Sequence, residues 1–343
     1  MKVKLFFTCL MFCFISAVVM AEEAQPTFKD RLKAKFKERL TNKMEEKAAP
    51  VLSSGVEGVI TKPGDYILSL THNEIYRFYK LHIPASYSAN KPHPLLFSFH
   101  GGGGDMTIQS NDKFYKLISK SEKEGFIVVF PNGYSKFKSG KLATWNAGNC
   151  CGEARDQNID DVGFVKAILL ELKKKISIDE KQIYSIGMSN GAMLSYRLAC
   201  QMSDVFTGIA AVAGSDNTQE CVPKKPISIL HIHAKDDDHV LFNGGIGKGA
   251  VDKKYITNFT SVPNTIAKWV NLNGCDKNSM QRTQLEGAYC EEYTKCRENV
   301  KVKLCVTDAG KHSWPGGEKP RGNSEPSKAI SANEVMWSFF QHK

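Results

Sequence analysis

Residues 182–200 read QIYSIGMSNGAMLSYRLAC, and the reading of this stretch decides the architecture. Its first part, with Ile183, Tyr184 and Ile186, is apolar and β-favouring. Its last part carries Met193, Leu194, Tyr196, Leu198 and Ala199 in a run of good helix formers. Between them lies Gly187-Met188-Ser189-Asn190-Gly191, so the stretch reads as strand, sharp turn, helix. A serine flanked by glycines at such a turn is a nucleophile elbow. The glycines let two backbones approach, and the turn lifts the hydroxyl clear of the sheet. Ser189 is the candidate nucleophile.

A serine hydroxyl reacts only when a base takes its proton, and the base needs an acidic group to fix its tautomer. In chain order after an elbow the acid precedes the histidine, each at the carboxyl end of a strand. The strand ISILHIH ends in Ala234-Lys235-Asp236-Asp237-Asp238-His239-Val240, and the strand VKLCVTD ends in a loop that carries His312. His312 is the candidate base, and the acid is one of the three adjoining aspartates. His342 lies at the end of the terminal helix and is set aside. His231, His233 and the carboxylates after them also resemble a metal site. That reading leaves the elbow and His312 without a role, so no metal is expected.

Upstream, the buried strand 95–99 runs into His100-Gly101-Gly102-Gly103-Gly104-Asp105. The run lacks the Lys and Ser/Thr of a phosphate loop. It suits the loop that presents backbone N–H groups to an oxyanion, with Gly102, Gly103 and Asn190 as expected donors. Strands are expected over 66–71, 76–83, 95–99, 126–130, 183–188, 206–213, 227–233 and 300–306. Helices are expected over 112–124, 161–175, 190–200, 262–273 and 331–340. Strands alternating with helices predict an α/β protein with a mainly parallel central sheet and helices on both faces. An elbow in the middle of such a sheet is the α/β-hydrolase arrangement.

The 343 residues are 42% hydrophobic and 24% charged, an ordinary globular balance without repeats. Residues 1–21 combine Lys2 and Lys4, an apolar core and a small-residue site at Ala21, the pattern of a cleaved signal peptide. Residues 27–49 space Phe28, Leu32, Phe36, Leu40 and Met44 four apart among basic residues, an amphipathic helix within a 22–54 segment. Such a helix packs on the main domain, serves as a pro-segment or rests weakly on an anionic membrane surface. It carries much of the net charge of +10, so the charge is no argument for nucleic-acid binding. The catalytic domain is expected over 55–343. Of the 10 cysteines, Cys9 and Cys13 leave with the signal, and the remaining eight, with no CxxC pair, predict disulfides in an exported chain. A bond between Cys150 and Cys151 is expected to be strained, so at least one of them is expected to pair elsewhere.

Nine segments in order, ITKPGDY, PLLFSFHGGGG, FPNGY, TWNAGNCCG, DDVGF, YSIGMSNGAML, VFTGIAAVAG, HAKDDDHVLFNGG and GKHSWPGG, resemble the secreted esterases of the polyhydroxybutyrate depolymerase and feruloyl esterase family. The resemblance spans the chain from about residue 60 to its end. It implies a serine triad in one α/β-hydrolase domain with no cofactor. A monomer is expected, acting on small or oligomeric esters. The family's spacing of histidine, aspartate and valine falls on His233, Asp237 and Val240, which selects Asp237 as the acid. By position, Trp145 and Trp314 would line the substrate pocket. The chain shows no linker and substrate-binding module after the catalytic domain, so hydroxycinnamoyl esters are preferred over solid polyester. Hydroxybutyrate oligomers are the runner-up, and a non-catalytic binding protein is the alternative of another class.

Overall fold

Leu95, Leu96, Phe97, Ser98 and Phe99 are all buried, yet their side chains part to opposite sides. Leu95, Phe97 and Phe99 join one apolar cluster and Leu96 the other. Ile127 and Val129 divide from Val128 and Phe130 in the same way, and Ile209 and Ala211 from Ala210 and Val212. Successive side chains of a strand point to opposite faces, so strands buried throughout belong in a sheet covered on both sides. The computed structural model describes residues 58–247, 257–320 and 324–341. The expected signal peptide, the basic helix at 27–49 and His342 lie outside the described residues.

In chain order the elements are β1 (Gly64–His72), β2 (Ile75–Ile83), β3 (His93–Phe99), α1 (Met106–Gln109), α2 (Asp112–Tyr115), α3 (Leu117–Glu124), β4 (Ile127–Pro131), α4 (Gly152–Asp156), α5 (Asp161–Lys175), β5 (Ile178–Met188), α6 (Asn190–Gln201), β6 (Gly208–Val212), β7 (Ser228–Ala234), α7 (Val262–Leu272), β8 (Met280–Leu285), β9 (Ala288–Tyr293), β10 (Val302–Thr307) and α8 (Ala332–Gln341). The strands form one sheet in the order β1-β2-β4-β3-β5-β6-β7-β10-β9-β8. Its middle, from β4 to β10, is parallel, and both flanks are antiparallel. Phe164 of α5, Leu194 of α6 and Trp269 of α7 pack on one face. Leu117 of α3 and Trp337 and Phe340 of α8 pack on the other. This is the expected α/β-hydrolase layering.

Two departures from expectation have local causes. The single helix expected over 112–124 is broken at Lys116, whose φ of 51° is left-handed, and α1 precedes it. The hairpin β8–β9 was not anticipated, because every residue of β8 is exposed and MQRTQL has no apolar alternation to read.

The elbow depends on backbone contact. A Cβ on Gly187 would stand 2.2 Å from the carbonyl carbon of Gly191, and one on Gly191 would stand 2.3 Å from the carbonyl oxygen of Phe99. Glycine at both positions is what allows α6 to begin directly against β5 and the end of β3. The loop that follows β3 is braced by the buried His100. Its Nδ1 donates to the Gly101 carbonyl at 2.8 Å, and its Nε2 accepts from the Gly133 N–H at 2.9 Å. Burial pushes this imidazole down to about 4, against the opposing hydrogen bond to Gly101. Trp145 completes the brace: its indole N–H donates to the His100 carbonyl at 2.9 Å and its ring meets Phe99 edge-on at 5.3 Å.

Four cystines are present among the described residues: Cys150–Cys151, Cys200–Cys221, Cys275–Cys296 and Cys290–Cys305. The first corrects the expectation that Cys150 or Cys151 pairs elsewhere. The peptide between them is cis, which sets their α-carbons 3.1 Å apart. Cys290 and Cys305 face each other across the β9–β10 ladder. Cys200, at the end of α6, is tied to the loop before β7.

Two outcomes follow. Unfolded histidine binds a proton near pH 6.5, whereas folded His100 resists until about 4. The unfolded chain therefore binds more protons in this window, and stability is lost as pH falls through it, by about 1.4 kcal/mol per pH unit for this residue. Urea unfolding from pH 7 to 4.5 should show a slope that includes this contribution, with buried His231 adding its own in the same direction. His100→Gln should reduce the slope by about 1.4 kcal/mol per pH unit; parallel curves would refute the assignment. Removing the Cys200–Cys221 link as Cys200→Ala with Cys221→Ala should lower the unfolding free energy by about 3 kcal/mol, read from denaturant curves.

Candidate active site

Ser189 follows β5 directly and stands at the N-cap of α6 with φ 55° and ψ −120°. An L-residue rarely occupies this region, and the turn keeps it there by backbone bonds. The Ser189 N–H donates to the Val212 carbonyl at 2.8 Å, and its carbonyl accepts from Met193 at 3.0 Å.

The loop after β7 answers which aspartate meets the histidine. Asp237 Oδ2 accepts from His312 Nδ1 at 2.8 Å, and Oδ1 accepts from the N–H groups of His239 and Val240 at 2.8 and 3.0 Å. Asp236 turns instead to Lys311, whose N–H it accepts at 2.9 Å, and Asp238 pairs with His239 Nδ1 at 2.7 Å. Burial alone would push the Asp237 carboxyl up. Hydrogen bonds from His233 and His312 hold it well below the usual carboxylate range. Asp237 is thus an ionised acceptor for one side of the His312 ring. With its Nδ1 proton given to Asp237, neutral His312 keeps its lone pair on Nε2, the atom a general base needs.

Ser189 and His312 line one cavity of about 330 Å³ with Gly102, Gly103 and Trp314. Ile108, Tyr115 and Met188 add apolar walls. Tyr115 and Trp314 meet edge-on at 5.2 Å, and Asn333 holds both by accepting the Trp314 indole N–H and donating to the Tyr115 carbonyl. His239 stacks on His312, with centroids 4.8 Å apart and planes 6° apart. Ile108 and Tyr115 were missed because no motif marks a wall built from the short helices α1 and α2, and Met188 because within the elbow only the serine was read as functional.

Two expected residues are placed differently. The Gly103 N–H donates to the Ala143 carbonyl at 2.8 Å, so its proton is committed away from an oxyanion. Trp145 is fully buried and is not part of the cavity wall. It is a brace: the Asn190 side chain grips its backbone, accepting from the Trp145 N–H at 2.7 Å and donating to its carbonyl at 3.0 Å. Gly102 backs onto the same residue, with Asn190 Cβ 3.7 Å from where a side chain would begin.

The rival metal reading of His231 and His233 meets a chemical obstacle. His231 binds the Tyr196 hydroxyl and His233, and His233 binds His231 and the Val240 carbonyl, so each of the four ring nitrogens already has a partner. Asp237, Asp238 and His239 place potential ligand atoms within 4.8 Å of one another. There too the Asp237 oxygens are spent on four N–H donors.

No family model matches the chain. Feruloyl esterase B of Piromyces equi is 32% identical over 242 residues, which are 68% of this chain and 42% of that protein, so the chain spans less than half of that relative. A probable feruloyl esterase C of Aspergillus oryzae is 31% identical over 270 residues, covering 77% of this chain and 83% of that protein. Among solved structures, an acetyl xylan esterase from Aspergillus awamori superposes with a TM-score of 0.51 at 13% identity, over 80% of this chain and 98% of that one, a likeness of fold. The relation to the Aspergillus oryzae protein, over most of both chains, shows that this chain belongs to the feruloyl esterase family of the α/β-hydrolase superfamily.

Proposed function

We propose that the protein is a serine carboxylic ester hydrolase that acts on hydroxycinnamoyl esters through Ser189, His312 and Asp237. The observation that carries the proposal is the 2.8 Å contact of His312 with the buried Asp237 carboxylate, beside a cavity that His312 shares with Ser189. In this scheme Ser189 Oγ attacks the ester carbonyl carbon while His312 Nε2 takes its proton. Asp237 stabilises the imidazolium that results. The N–H groups of Gly102 and Asn190 receive the oxyanion. Collapse breaks the bond to the alcohol, which leaves with the proton from His312. Water, activated by the same imidazole, then frees the acid and restores Ser189.

The acyl preference rests on the cavity walls and on the relatives. Ile108, Tyr115, Met188 and Trp314 offer an apolar slot of a size suited to a flat aryl group. Two relatives are named for feruloyl esters. The cystines favour an oxidising compartment, and so an exported enzyme.

Methyl ferulate, short p-nitrophenyl esters and hydroxybutyrate oligomers, compared by kcat/KM, test the preference; methyl ferulate is expected to lead by at least about tenfold. Ser189→Ala and His312→Ala should each cut kcat by roughly 10⁴-fold or more, to a similar floor, because such residues act as a unit. Asp237→Asn should cost roughly 10⁴-fold through the wrong tautomer of His312. An active Ser189→Ala protein would remove the mechanism.

A further inference from the structure

Behind the Asp237 loop, β7 carries His231 and His233 on one face, with ring planes 4° apart. Both are buried, as is Tyr196, two helical turns after Ser189 on α6. The Tyr196 hydroxyl lies 2.7 Å from His231 Nδ1, and His231 Nε2 lies 3.0 Å from His233 Nδ1. His233 Nε2 lies 2.7 Å from the Val240 carbonyl and 3.4 Å from Asp237 Oδ2. None of these three side chains is required by the triad. We propose that Tyr196, His231 and His233 form a one-way hydrogen-bond relay that positions Asp237, tying the nucleophile helix to the acid loop through the core.

The direction follows from chemistry. A carbonyl only accepts, so the proton of His233 is on Nε2, and in the neutral ring Nδ1 is an acceptor. His231 Nε2 must then donate to it, which leaves His231 Nδ1 to accept from the Tyr196 hydroxyl. With both rings neutral, each is thus the Nε2–H tautomer. Burial holds His231 well below its ordinary value, in keeping with a neutral ring. At the far end the relay grips Val240 from one side while Asp237 grips it from the other: His233 donates to its carbonyl, and its N–H donates to Asp237 Oδ1. The turn cannot tilt without breaking one of these bonds, so the aim of Oδ2 at His312 is set by His233. The His233 N–H also points positive charge at the carboxylate.

The charged groups around the relay are themselves paired. Asp216, on the Tyr196 side, is held by Lys268 at 2.8 Å and by the Trp269 indole at 3.0 Å. On the Asp237 side, Asp238 holds His239 at 2.7 Å and Asp236 holds Lys311 at 3.6 Å.

The inference rests on the roles proposed for Ser189, His312 and Asp237, and its test separates the two. Nitrogen NMR of the wild-type imidazoles should find His231 and His233 neutral with the proton on Nε2 from pH 6 to 8. Finding an Nδ1–H or imidazolium form in either ring overturns the relay. Tyr196→Phe should lower kcat about three- to tenfold with KM within about twofold, the scale of one hydrogen bond. His233→Leu should lower it about a hundredfold and move the acid limb of kcat/KM to higher pH. Without the His233 donor, the carboxylate pairs more strongly with protonated His312. His233→Gln, whose amide can still donate to Val240, should recover most of the rate. A folded His233→Leu enzyme with wild-type kcat and an unmoved limb refutes the relay, and should it not fold, the tautomers decide. Hydrolysis that survives Ser189→Ala would instead end the triad reading and leave the tautomer result standing.

Discussion

A backbone carbonyl, that of Phe99, occupies the space where a side chain on Gly191 would begin. The surroundings of the Ser189 hydroxyl depend on this contact. It sets the start of α6 against the end of β3, so the residue that follows the serine meets the glycine loop that follows the strand. It also holds Ser189 in a left-handed conformation that its sequence neighbours alone would not select. A methyl group at either glycine would part β5 from α6 and carry the Ser189 hydroxyl away from the cavity it shares with His312.

The second constraint is that this site is braced by side chains whose hydrogen-bond partners are in place before any substrate arrives. His100 spends both nitrogens on backbone, Asn190 spends its amide on Trp145, and Asn333 joins Trp314 to the carbonyl of Tyr115. Buried polar groups with all partners present rigidify what they touch, whereas a partly filled network would be soft and costly. The chemical groups that face the cavity can therefore be held by neighbours that take no part in the reaction.

The fold was legible in the sequence where burial writes a plain pattern. The apolar strands of the parallel core and the elbow between Ile183 and Tyr196 announce themselves, because a strand buried on both faces needs such residues at every position. The polar hairpin β8–β9 did not, since it lies at the edge and buries little. At the site, order and context single out Ser189 and His312, which the structure brings to one cavity. Three adjacent aspartates are chemically alike; the family's spacing points to Asp237, and the turn that carries it inward to His312 gives the physical reason. Trp145 misled for a related reason. An aromatic residue in a loop near a serine suggests a substrate contact, but its indole N–H found a backbone carbonyl and its ring found Phe99. Gly103 was read as a donor because a glycine run shows which N–H groups are available but not which way each one points.

Asn190 links two parts of the molecule that evolution or an engineer would wish to vary separately. Its main chain belongs to the turn that carries Ser189, while its carboxamide clasps both the backbone N–H and the carbonyl of Trp145 like a base pairing with its complement. The long segment from 131 to 161 is thus not a detachable cassette. A replacement loop from a relative would dock only if it offered the same N–H and carbonyl at the same place, or if residue 190 were exchanged along with it. An aspartate at 190 would turn one of those two bonds into a repulsion between oxygens. The unit of inheritance at this site is the loop together with one residue 45 positions further along the chain.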